Sequence, residues 1–116
     1  MACDNYLFKQ TIIKDDYGQA KSDYPCHLIK SEKLWHEVSW KIGEEFTSHY
    51  QIGDTNQRIA ILPSMMKDFV EGLLSEWKKD KDADEYDCEA LESLIPHLHS
   101  DEGVLDDTTY FFTMSW

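Results

Sequence analysis

Residues 31–52 read SEKLWHEVSWKIGEEFTSHYQI, and the fold depends on which period they follow. Leu34, Val38 and Ile42 share one helical face, whereas Val38, Trp40 and Ile42 alternate as they would in a strand. Ser31 is placed to cap a helix starting at Glu32, and Gly43 sits where either element could end. The favoured reading is a short helix over 32–36, then a strand over 37–42 paired with a second strand near 46–52. A single long helix is the alternative.

Outward from this stretch the patterns are plainer. Upstream, Tyr6-Leu7-Phe8-Lys9-Gln10-Thr11-Ile12-Ile13 is rich in aromatic and β-branched residues and predicts a strand, ended by a turn at Lys14-Asp15-Asp16-Tyr17-Gly18. Residues 15–30 are polar, with Gly18 and Pro25, and read as a loop with one short extended piece near Cys26–Ile29. Downstream, the turn signal Asp54-Thr55-Asn56 precedes Arg58-Ile59-Ala60-Ile61-Leu62, a further short strand. From Ser64 to Lys79, Met65, Phe69, Leu73 and Trp77 form one i,i+4 row, and Met66, Val70 and Leu74 form the next. This predicts an amphipathic helix capped by Ser64, with its apolar stripe in the core. Asp87 is placed to cap a short helix bearing Leu91, Leu94 and Ile95 and ending before Pro96. Residues 108–116, TTYFFTMSW, predict a buried final strand.

Aromatic strands near both ends with helices between them predict an α+β fold. It would consist of a small, mainly antiparallel sheet including the N- and C-terminal strands, packed against two or three helices. A chain of 116 residues fits one domain spanning 1–116. With 41% apolar and 13% aromatic residues, it has enough material for a core despite its charge. The segment MACDNYLFKQ lacks a basic region followed by an apolar run, and no stretch is long enough to span a bilayer. Cys3, Cys26 and Cys88 are too scattered and too few for a disulfide framework, so a reducing, cytoplasmic setting is expected.

Charge is distributed unevenly. The net value is −12, yet residues 1–79 hold 12 acids and 10 bases, while residues 80–107 hold 11 acids and only Lys81. Such a field repels nucleic acid and anionic membranes and speeds encounter with basic proteins or cations. Neither nucleic acid nor membrane is therefore expected as a direct partner.

The densest part is Lys79-Asp80-Lys81-Asp82-Ala83-Asp84-Glu85-Tyr86-Asp87. Asp80, Asp82 and Asp84 take the first, third and fifth places of a calcium loop, but the sixth and twelfth hold Glu85 and Leu91, where that loop needs glycine and glutamate. Cys88, His97 and His99 lie close in sequence without the paired spacing of a zinc site, and His27 is a remote fourth candidate. No metal or other cofactor is expected. There is no nucleophile elbow, no cysteine signature and no glycine-rich phosphate loop. Adjacent acids such as Glu44-Glu45 and Asp106-Asp107 read as solvated, and no catalytic residue is expected.

Recognition by the surface remains. In size, charge layout and α+β pattern over the whole chain, the sequence resembles bacterial immunity proteins, including those of contact-dependent growth inhibition systems. That resemblance implies a cognate basic toxin domain, of the nuclease type, neutralised by stoichiometric occlusion. The expected contact residues are Asp80, Asp82, Asp84, Glu85, Tyr86 and Asp87, with Tyr86 buried at the centre, together with Asp101, Glu102, Asp106 and Asp107, which follow in sequence. The alternatives are a nucleic-acid mimic that inhibits a host nuclease or DNA-binding protein, and a metal-binding protein.

Overall fold

The computed structural model describes residues 3–12, 29–53, 57–104 and 107–116. Its elements are β1 (Asp4–Ile12), β2 (Ile29–Val38), α1 (Trp40–Tyr50), β3 (Ile59–Ile61), α2 (Pro63–Lys79), α3 (Glu85–Glu92) and β4 (Thr108–Ser115), with a 3₁₀ turn at Ile95–His97. The strands form one antiparallel sheet in the order β2-β1-β4-β3, which puts the N- and C-terminal strands side by side at its centre. The fold is α+β, as the pattern predicts.

Alternation along the strands decides what the helices cover. Asn5 and Leu7 face the helices, and the register sets Trp35 and Phe112 on either side of Leu7 and Met114 opposite Asn5. Ile59 and Ile61 continue this face on β3. Against it pack Ile42 and Phe46 of α1, and Met66, Val70, Leu73, Leu74 and Trp77 of α2. Phe46 meets Phe112 with ring centroids 4.6 Å apart. The opposite face carries half-buried Tyr6, Phe8 and Phe111, with Tyr6 stacked on His36 at 4.4 Å.

The stretch 31–52 departs from both expectations. It is neither a short helix with two strands nor one long helix; a strand runs to Val38 and a helix begins at Trp40. Ser31 lies inside β2 opposite Gln10, and the helix cap is Ser39, whose hydroxyl accepts from Ile42 N at 3.1 Å. Val38 and Trp40, which carried the strand-like alternation, are both exposed. They flank the corner, and Trp40 packs against Trp116.

Three smaller boundaries also differ. Helix α2 starts with Pro63 at its first turn and Leu62 as the cap position, so Ser64 is inside the helix. Met65 is 66% exposed and not core. An i,i+4 row drifts by about 40° per step, so the end that starts the row turns outward while Leu73 and Trp77 are buried. Helix α3 is capped by Asp84, not Asp87, and stops at Glu92. The predicted turns at 14–18 and 54–56 and the position of Cys26 lie outside the described residues.

At the corner between β2 and α1, the helix passes β1 at close range. A Cβ added to Gly43 would stand 2.5 Å from Cys3 Sγ, and Cys3 has no solvent exposure into which to retreat. Burial, reinforced by the Asp4 charge, pushes the Cys3 thiol up to about 11, so it stays protonated beside Asn5 Oδ1. Gly43→Ala would gain about 1 kcal/mol of helix propensity but incur an overpacking cost of about 1–3 kcal/mol. A lower Tm is expected for Gly43→Ala, with recovery in the Cys3→Ala/Gly43→Ala pair, measured by thermal unfolding. A raised Tm in the single variant, or no recovery in the pair, would contradict a tight corner.

Candidate functional site

The acidic run 80–87 joins α2 to α3, and the chain uses several of its carboxylates internally. Asp80 ends α2, with its N–H donating to Trp77 O, and its side chain accepts from Asp82 N at 2.9 Å. Asp84 caps α3 by accepting from Tyr86 N at 2.9 Å. Asp87 accepts from Ser39 Oγ at 2.7 Å, tying α3 to the cap of α1. Asp82 and Glu85 stand exposed.

Tyr86 is 51% exposed but turned toward β2, its hydroxyl donating to Glu37 Oε2 at 3.2 Å. Desolvation, then the Glu37 carboxylate, hold its pKa above the ordinary phenol value. Trp35 Nε1 donates to Ser93 Oγ at 2.9 Å just past the helix. Residues 35, 37 and 39 are spaced by two, so they share one side of the extended chain. They grip the inner side of α3 through Ser93, Tyr86 and Asp87.

Fixing that side leaves the other to form a cleft against the end of α2. The cleft has a volume of about 370 Å³, with Trp77, Ala83 and Cys88 supplying apolar surface and Asp80, Glu85, Glu89 and Glu92 supplying carboxylates. Glu85, Glu89 and Glu92 recur at i, i+4 and i+7, the spacing of one helical face. One cation, Lys78, also lines the cleft, and a second, Lys41, adjoins it. Lys78 lies 3.8 Å from Glu92, and Lys41 Nζ sits 4.7 Å from the Trp77 ring centroid.

The expected residues therefore do not form one surface. Asp80 and Glu85 line the cleft, and Asp82 lies in the turn beside it. Tyr86 and Asp87 face the β2–α1 corner instead. Asp101 is at the other end of α2, where its carboxylate accepts from Ser64 N at 2.8 Å and from Ser64 Oγ. Helix α2 has 17 residues, so the two ends are roughly 25 Å apart. Glu102 is exposed beside Asp101. Asp107 accepts from Thr108 Oγ1 and, through its carbonyl, from Ile12 N. Asp106 lies outside the described residues.

Glu89, Glu92, Trp77 and Cys88 were not expected as site residues. The i,i+4,i+7 spacing of the glutamates was visible in the sequence, but the facing of Trp77 onto α3 required the tertiary structure. Among the described residues no group of three or more His, Cys, Asp or Glu is placed to hold a metal ion. His99 is engaged with Pro96 O at 3.1 Å. Among the described residues no helix is long and apolar enough to cross a membrane. Comparison with protein-family models, curated proteins and solved structures finds no match.

The division of labour among the acids has measurable consequences. Asp84→Ala should destabilise by about 1 kcal/mol through loss of the cap, whereas Asp82→Ala should stay within about 0.5 kcal/mol of wild type, both read from urea unfolding. Equal effects would contradict the assignment. Hydrogen bonds from the Ser64 side chain and backbone lower the Asp101 pKa. Its charge-dependent contribution is complete above the ordinary carboxylate pKa and is lost as pH falls through the lowered folded value. The Tm gap between wild type and Asp101→Ala should be widest near neutrality and narrow below about pH 4; a gap independent of pH would contradict this.

Proposed function

We propose that this chain is an inhibitor of the immunity-protein kind, which neutralises a cognate basic toxin domain by binding it stoichiometrically through the cleft between α2 and α3. One observation carries the reading: four carboxylates, Asp80, Glu85, Glu89 and Glu92, surround an apolar floor that includes Trp77. This combination suits an arginine or lysine, whose stem packs on the apolar surface while its charged head meets carboxylates. The acids near the C-terminal end of α3 add support. Glu89 and Glu92 occupy the negative end of the helix dipole, and the last turn has no basic residue of its own. A cation from a partner relieves that unfavourable arrangement.

Occlusion of a nuclease then works by charge substitution. The cleft takes a basic side chain that would otherwise hold a phosphate, and the surrounding acids accelerate encounter. The 80–92 acids form a local docking point, with Asp101 and Asp107 elsewhere. This favours a toxin-specific cleft over an extended nucleic-acid mimic, which needs a continuous stripe of charge. The same cleft requires no catalytic group and no bound metal.

The proposal requires a neighbouring reading frame that encodes a basic toxin domain, and co-expression with that domain tests it. A one-to-one complex and restored growth of toxin-producing cells are expected; undiminished toxicity would overturn the reading. The Asp82→Lys/Glu89→Lys pair alters neither cap. It should slow association with that domain by about tenfold or more at low salt and flatten the salt dependence, by stopped-flow measurement. Unchanged association would remove the cleft from the interface.

A further inference from the structure

We propose that the edge of β3, unpaired among the described residues, with the apolar groove beside it, takes up an extended segment of a basic polypeptide, which joins the sheet as an added strand and seats a bulky apolar side chain in the groove. The edge comes first. β3 is the last strand of the sheet, and among the described residues only β4 pairs with it. Such an edge is a template for another extended chain, and its hydrogen-bonding direction selects strand geometry in the occupant. Ala60, at its middle, is small and exposed.

A groove of about 590 Å³ lies along this strand, lined by His49, Tyr50, Ile61, Met65, Asp68 and Phe69. Its wall is aromatic: His49 stacks on Phe69 at 3.8 Å with the planes 6° apart. Met65 at 66% exposure and Leu62 at 38% stand exposed in its lining. Adjoining exposed apolar side chains of this size are a marker of an interaction surface. Backbone pairing along β3 supplies affinity without sequence preference, and the groove supplies preference for a large apolar side chain.

Charge selects the rest of the occupant. Asp68 is the acidic lining residue, and the Asp101 carboxylate sits on Ser64, next to Met65. Arg58 does not compensate, because it lines the cleft on the other face of the sheet with Phe8, Gln10, Ser31 and Phe111. A second copy of this chain, at net charge −12, is a poor occupant on that ground. The fitting segment alternates a bulky apolar residue with lysine or arginine. The groove lies at the N-terminal end of α2, away from the acidic cleft, so this proposal stands independently of the inhibitor reading.

Selection from a random short-peptide library on phage tests it, with the intact chain as bait and a Met65→Lys/Asp68→Lys variant for counter-selection. Both positions are exposed, and circular dichroism checks that the variant folds. Enriched peptides should combine a bulky apolar residue with nearby Lys or Arg and bind wild type about tenfold or more tighter than the variant. N-methylation of alternate backbone amides in the synthetic peptides should remove that binding, because strand addition needs those donors. Failure to enrich any variant-sensitive peptide would overturn the groove, and full binding by N-methylated peptides would overturn strand addition.

Discussion

The carboxamide of Asn5 has no solvent exposure and donates to the carbonyls of Cys3, Glu37 and Ser39 at 3.0–3.2 Å. A hydrogen bond of this kind is worth about 1 kcal/mol net, but leaving a buried carbonyl unpaired costs about 1–3 kcal/mol. The corner where β2 ends and α1 begins is therefore specified by a residue more than thirty positions away in sequence. Ser39 also donates its N–H to Cys3 O at 2.9 Å, caps α1 and holds Asp87. From this corner the placement of α3 follows, and from α3 the shape of the acidic cleft.

The chain separates two uses of negative charge. Asp84, Asp87 and Asp101 are spent on helix ends and on the joint between α1 and α3, where backbone N–H groups and hydroxyls satisfy them. Glu85, Glu89 and Glu92 are turned the other way, onto a cleft with an apolar floor. Carboxylates in the first group are fixed by hydrogen bonds that stabilise the fold. Those in the second, apart from the Lys78 contact with Glu92, crowd one helical face, an arrangement that favours a cationic partner. Distribution and orientation thus say more about recognition than the total of −12.

The two central strands, β1 and β4, were legible from their aromatic and β-branched residues, whereas β2 was not, because residues 32–36 also fit a short helix. The α2 helix was legible from its period; Ser64 was misread as its cap, and Met65 as core, since an i,i+4 row drifts round the helix axis. The corner was not legible. Val38, Trp40 and Ile42 satisfy strand spacing, Leu34, Val38 and Ile42 satisfy helix spacing, and nothing local separates Ser39 from Ser31 as the cap. Asn5 and Cys3 decide between them through contacts absent from any local window. For the same reason the acidic run read as one surface with residues 101–107. Sequence proximity across Pro96 concealed that the chain doubles back along α2 and returns to its N-terminal end.

Hydrogen exchange on the chain, free and saturated with the basic toxin domain proposed as its partner, tests the central claim most directly. Protection should appear across residues 80–92 and the last turn of α2, with little change at 101–104. Protection centred on 101–104, with 80–92 exchanging as in the free chain, would contradict the account.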